Sequence, residues 1–126
     1  MKNIKKSYFI KASVEDVFTA LTNSLTIEMW TGSSAVMQPV EGTEFSLWDG
    51  EITGLNLEIE NNKRLKQQWY FEGEKGQSIV TITLSSEGKD TRAELLHIDI
   101  PDEAFENILD GWDRYYFKPL KMLLEE

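Results

Sequence analysis

Acid–base chemistry at neutral pH would begin at His97, the single histidine of the chain, because imidazole changes charge between about pH 5 and 8. A catalytic histidine needs a carboxylate to orient it or a nucleophile to activate. Side chains alternate along a strand, so His97 shares a face with Ala93 and Leu95, and Asp99 is the carboxylate nearby in that phase. We read His97 as an inward, hydrogen-bonded histidine without catalytic duty, and assign no catalytic residue. The chain has no cysteine, which removes a thiolate nucleophile, a disulfide framework and a zinc–thiolate site. One histidine is too few for a transition-metal site, so no metal and no cofactor is expected. The second group of interest is Gln67, in phase with Leu65, Trp69 and Phe71. A buried amide must be hydrogen-bonded, whether to His97, to water or to the polar end of a ligand.

The elements that position these groups follow from periodicity. Asn3 to Ala12 reads as a strand with Ile4, Tyr8 and Ile10 on one face. Ser13 offers a hydroxyl to cap a short helix whose buried stripe is Val14, Val17, Phe18 and Leu21. A second short helix covers Leu25 to Trp30 and stops at Gly32. From Ser33 to Ile100 the pattern has period two, broken at Pro39–Gly42, Asp49–Gly50, Asn61–Asn62, Gly73–Gly76 and Gly88–Asp90. That predicts six strands here and a seventh at the N-terminus, with Asp49–Gly50 as a two-residue hairpin turn. After Pro101-Asp102-Glu103 a long helix begins. Phe105, Ile108, Leu109, Trp112, Tyr116, Leu120 and Leu123 recur along it at steps of three and four.

Strands segregated from helices in this order argue for an α+β fold. The expected architecture is a curved antiparallel sheet of about seven strands wrapping a long C-terminal helix, with two short helices after the first strand. One domain, residues 1–126, accounts for the 126-residue chain. The formal charge of −9 argues against nucleic acid or an anionic membrane as partner, since both reward excess Lys and Arg. Lys2, Lys5, Lys6 and Lys11 read as solvated strand surface, and Glu103, Glu106, Asp110 and Asp113 as a solvated helix face. No signal-peptide core or membrane-length apolar run is present, so the expected location is cytoplasmic.

Several stretches, in order, resemble one family. They are Ile10-Lys11-Ala12-Ser13-Val14-Glu15-Asp16-Val17-Phe18, Trp30, Glu41-Gly42-Thr43-Glu44-Phe45-Ser46-Leu47, Asp49-Gly50, Gly54 and Trp69-Tyr70-Phe71. After them come Thr81-Ile82-Thr83-Leu84, His97-Ile98-Asp99-Ile100-Pro101 and Gly111-Trp112-Asp113-Arg114-Tyr115-Tyr116-Phe117. Together they resemble the C-terminal-type domain of the heat-shock protein 90 ATPase activators, within the START-like (helix-grip, Bet v 1-like, SRPBCC) superfamily. One departure is Gly42-Thr43, where the family commonly pairs glycines. The eukaryotic activators also carry an N-terminal domain that a 126-residue single domain has no room for. The superfamily resemblance implies a cavity for a hydrophobic small molecule, in a superfamily with cyclase and hydrolase members among many pure binders; the leading expectation is binding without covalent chemistry. A chaperone-regulating interaction module tied to stress response is the alternative, and a cyclase or hydrolase using His97 and a tyrosine stands third.

Inward phase along the strands and the helical stripe places Phe45, Gln67, Trp69, Val80, Ile82, His97, Trp112 and Tyr116 around that cavity. Trp48 is out of phase and expected exposed at a hairpin end. Pro119 should kink or break the helix at Tyr115, whose carbonyl it cannot serve. Gly111 should allow close approach to the sheet or a ligand. Phe117 lies about 140° from Trp112 at roughly 100° per residue, which predicts an aromatic on the solvent side and a homodimer or protein partner through this helix.

Overall fold

Six antiparallel strands form one curved sheet in the order β1-β6-β5-β4-β3-β2. The structure, a computed structural model, describes residues 1–71 and 77–125; the expected Gly73–Gly76 turn lies outside them. The strands are β1 (Lys2–Ile10), β2 (Glu44–Leu47), β3 (Ile52–Glu60), β4 (Arg64–Trp69), β5 (Ser78–Glu87) and β6 (Asp90–Ile100). Strands β2 to β6 form a meander, and β1 adds beside β6 at the far edge. Helices α1 (Val14–Thr22) and α2 (Ser24–Thr31) carry the chain from that edge to the other. Ser13 caps α1, its Oγ accepting from Asp16 N–H at 3.2 Å. Gly32 ends α2 at φ 73°, a left-handed conformation that suits glycine.

Among the described residues the sheet has six strands, not seven. Segment 33–38 forms no strand, only an isolated bridge of Val36 with Ser46 and a bond from Asp49 N–H to the Ser34 carbonyl. Proline at position 39 can donate no ladder bond, and the Gln38 carbonyl is drawn instead to the Asn56 side chain at 3.2 Å. The expected two-residue hairpin is also longer. Leu47 pairs with Ile52, leaving a four-residue turn of Trp48 to Glu51. Trp48 and Asp49 take φ of 51° and 54° there. That is an unusual conformation for a bulky residue, and it folds Trp48 inward against Trp30 and Tyr116, both at 6.1 Å between ring centroids. Trp48 is half-buried, so its expected exposure is corrected.

At the other end, Asp99 takes φ 57° in a bulge where β6 spends Ile98 and Asp99 against Asn3 of β1. The extra residue turns Asp99 out to solvent and Ile100 into the core, reversing the phases expected for both.

The C-terminal helix starts as a short 3₁₀ turn, Asp102–Ala104, and runs through α3 (Phe105–Gly111), a π-helical segment (Trp112–Phe117) and α4 (Lys118–Leu124). The expected break at Pro119 appears as this change of winding. Lys118 N–H reaches five residues back to the Asp113 carbonyl, so the backbone has shifted register ahead of the proline and the helix passes through it. In π winding, residues five apart stand about one turn apart, which brings Phe117 over Trp112 with ring centroids 6.0 Å apart. Phe117 is therefore core, 1% exposed and stacked on Tyr8 at 4.0 Å. The argument for a dimer from an exposed Phe117 falls; Tyr115 and Met122 are the exposed large hydrophobic side chains of this stretch.

The surface charges Lys6 and Asp113 stay at the surface as expected, and they pair. Asp113 Oδ2 accepts from Lys6 Nζ and Oδ1 from the Tyr8 hydroxyl, both at 2.6 Å, tying the helix to β1. The Lys6 ammonium first, and the Tyr8 hydroxyl second, hold the Asp113 carboxyl below its ordinary range. Burial and this bond raise the Tyr8 phenol.

Gly54 has a tight steric requirement. A Cβ there would meet the Gln68 carbonyl oxygen and lie 2.7 Å from the ring of Phe45, its cross-strand partner. Gly54→Ala should lower stability by about 2–3 kcal/mol, as overpacking of a filled core does. A urea midpoint unchanged from the parent would refute this packing.

Candidate functional site

Two stacked tryptophans join the sheet to the helix. Trp69 on β4 and Trp112 at the start of the π segment lie 4.9 Å apart between centroids, at 24°. An indole nitrogen can only donate, and each of the two finds a buried acceptor. Trp69 Nε1 donates to Gln67 Oε1 at 3.0 Å. That orients the amide, so Gln67 Nε2 donates to Asn56 Oδ1 at 3.0 Å. Asn56 Nδ2 in turn donates to the Gln38 carbonyl and the Thr43 hydroxyl, both at 3.2 Å. Gln67 thus spends its amide inside the protein.

Trp112 Nε1 donates to His97 Nδ1 at 3.1 Å. Since Nδ1 accepts, Nε2 carries the proton and donates to Ser78 Oγ at 2.8 Å, and the Ser78 hydroxyl in turn donates to the Ile98 carbonyl at 3.1 Å. The distance is that of a serine–histidine catalytic pair, but the polarity is reversed. This histidine already gives its Nε2 proton to the serine, and its other nitrogen faces an indole where such a pair would have a carboxylate. His97 is fully buried, and burial pushes its pKa down to about 3. It is a neutral structural link.

Beside the tryptophan stack, the sheet–helix junction opens into a cleft of about 350 Å³, near the lower end of the roughly 300–1,000 Å³ typical of ligand sites. The β2–β3 turn and β3 contribute Trp48, Glu51 and Ile52, and β4 contributes Trp69. The helix contributes Asn107, Ile108, Gly111, Trp112, Tyr115 and Tyr116. Tyr116 is buried, which raises its phenol's pKa and keeps it protonated.

All eight side chains expected around a cavity are buried. The structure brings Trp69, Trp112 and Tyr116 to the cleft; Phe45, Gln67, Val80, Ile82 and His97 lie in the core away from it. Trp48, Glu51, Ile52, Asn107, Ile108 and Tyr115 were missed as lining residues. Ile108, Gly111 and Tyr115 stand at i, i+3 and i+7, so a helical-spacing signal existed for Tyr115. Nothing local announces that Trp48 turns inward. Gly111 was expected to permit close packing, yet a Cβ there would meet no atom within 4 Å. Its backbone is ordinary right-handed helix, so neither conformation nor packing demands glycine; its missing side chain leaves the cleft open.

The family model described as Activator of Hsp90 ATPase homolog 1-like protein matches residues 11–125. An activator of 90 kDa heat shock protein ATPase homolog from Dictyostelium discoideum is 31% identical over 123 residues, covering 95% of this chain and 32% of that protein. The chain thus spans about a third of the length of the curated relatives it matches. Among solved structures, an HSP90 activator from Plasmodium falciparum superposes with a TM-score of 0.92 at 24% identity, covering 99% of this chain and 97% of that one. The Aha1 dimer from Colwellia psychrerythraea superposes at 0.84 with 20% identity, covering 99% and 97%. At these identities the two structures show the shared fold.

His97→Gln should keep an acceptor for Trp112 and a donor for Ser78, costing about 1 kcal/mol at pH 7. It should also change the pH dependence. Above pH 6.5 His97 is neutral in both folded and unfolded chains. Between 6.5 and about 3 only the unfolded chain takes up the proton, so stability is lost as the pH is lowered, by about 1.4 kcal/mol per unit. From pH 7 to 5 the parent should lose about 2 kcal/mol more than the variant in urea unfolding. Equal losses in the two proteins would contradict the assignment of His97 as a neutral link.

Proposed function

Because the chain belongs to the Activator of Hsp90 ATPase homolog 1-like family, with its START-like helix-grip fold, we propose that it acts as a binding domain. In this reading the cleft between the β2–β3 turn and the C-terminal helix takes a mostly apolar small molecule without covalent chemistry. The observation that carries it is Gly111. Glycine inside a helix costs about 0.5–1 kcal/mol relative to alanine, and here the open space beyond it belongs to the cleft. Aromatic walls with a few polar groups, the Tyr116 phenol among them, are what an apolar guest with one polar end requires. No helix among the described residues is long and apolar enough to cross a membrane, and a single cytoplasmic domain remains our reading.

The names of the relatives favour a second reading, a regulator that contacts a 90 kDa heat-shock chaperone. The exposed Tyr115 and Met122 on the C-terminal helix suit a protein partner or a second copy.

The cleft reading is tested by native mass spectrometry of protein from its own host. A co-purifying molecule should be present in the parent, reduced in Gly111→Ala and lost in Gly111→Leu, whose larger side chain fills more of the open space at the cleft. Gly111→Ala should also be about 0.5–1 kcal/mol more stable in urea unfolding. An empty parent that also leaves an apolar fluorescent probe unbound would end this reading. The second reading predicts that the purified domain raises the ATPase rate of its host's 90 kDa chaperone; no binding and no change in rate would remove it.

A further inference from the structure

Five of the side chains around the cleft are aromatic: Trp48, Trp69, Trp112, Tyr115 and Tyr116. The single charge among its described lining residues is the carboxylate of Glu51. Among the described residues, Glu51 has no ion-pair partner. The turn that carries it passes through three consecutive left-handed residues, Trp48, Asp49 and Gly50, at φ 51°, 54° and 94°. For a tryptophan this conformation is costly, and its result is to set an indole and a carboxylate at the same opening.

Aromatic rings attract a desolvated cation through their negative faces, and a carboxylate at the rim adds the countercharge. An anion would meet Glu51 and a chain of net charge −9, which repels it at long range. A neutral guest would use the rings and at most give Glu51 a hydrogen bond, without the attraction between opposite charges. We infer that the guest of the cleft is a small organic cation of the amine or quaternary ammonium class, with its charged end toward Glu51 and its carbon groups against the tryptophans. This deepens the cleft-binding reading above and rests on it.

The test compares three probes of one shape on the full chain, followed by tryptophan fluorescence. They are benzyltrimethylammonium, its neutral carbon isostere neopentylbenzene, and the anion benzylsulfonate. The cation should bind about tenfold tighter than the isostere at low salt, and the sulfonate weakest. Glu51→Gln, a change in an exposed turn, should remove most of the cation's advantage and leave the isostere's affinity in place. Equal binding of cation and isostere, or a preference that survives Glu51→Gln, overturns the inference while leaving the cleft as an apolar site. No binding of any probe overturns both.

Discussion

The stack of Trp69 on Trp112 is the contact on which the other arrangements depend. It joins a strand in the middle of the sheet to the helix lying across it. A large aromatic pair contributes through buried area and through ring geometry, but each indole also brings an N–H that must be satisfied once water is gone. Two polar relays do this: Gln67–Asn56–Gln38 for Trp69, and His97–Ser78–Ile98 for Trp112. Both start at a donor-only group and end at a backbone carbonyl, so each has one consistent set of proton positions. A buried polar chain of this kind is stable because it is complete. That accounts for the most chemically suggestive residues of the chain without assigning them a reaction.

The helix can meet this stack and still pass Pro119 because it changes winding. An α-helix throughout would turn Phe117 toward solvent. The π segment instead adds a residue to the turn, and Trp112, Tyr116 and Phe117 all face the sheet. Tyr8 and Lys6 of β1 then hold the far side of the same segment through Phe117 and Asp113. A second hollow of about 320 Å³ lies there, bordered by Tyr8, Asp113 and Lys121. Its Asp113 carboxylate is already committed to Lys6 and Tyr8, which sets it apart from the open cleft, where Glu51 has no ion-pair partner among the described residues.

Along this chain, alternation and helical spacing determined much by themselves. The α+β class, the order of the elements, the Ser13 cap, the Gly32 stop and the inward phase of Leu65, Gln67, Trp69 and His97 all follow from patterns a few residues long. The family was legible too, because its signature is spread over many such local positions. What the tertiary structure decided were the places where a distant contact overrides a local preference. Trp48 accepts a left-handed backbone because Trp30 and Tyr116 offer it burial. Asp99 leaves its phase because β6 has a residue more than β1 at that point. Phe117 enters the core because the helix shifts register before a proline. The cleft depends on the first of these and on a helix face that only the sheet defines, so the sequence could mark Trp69, Trp112 and Tyr116 as inward without saying which inward residues border open space.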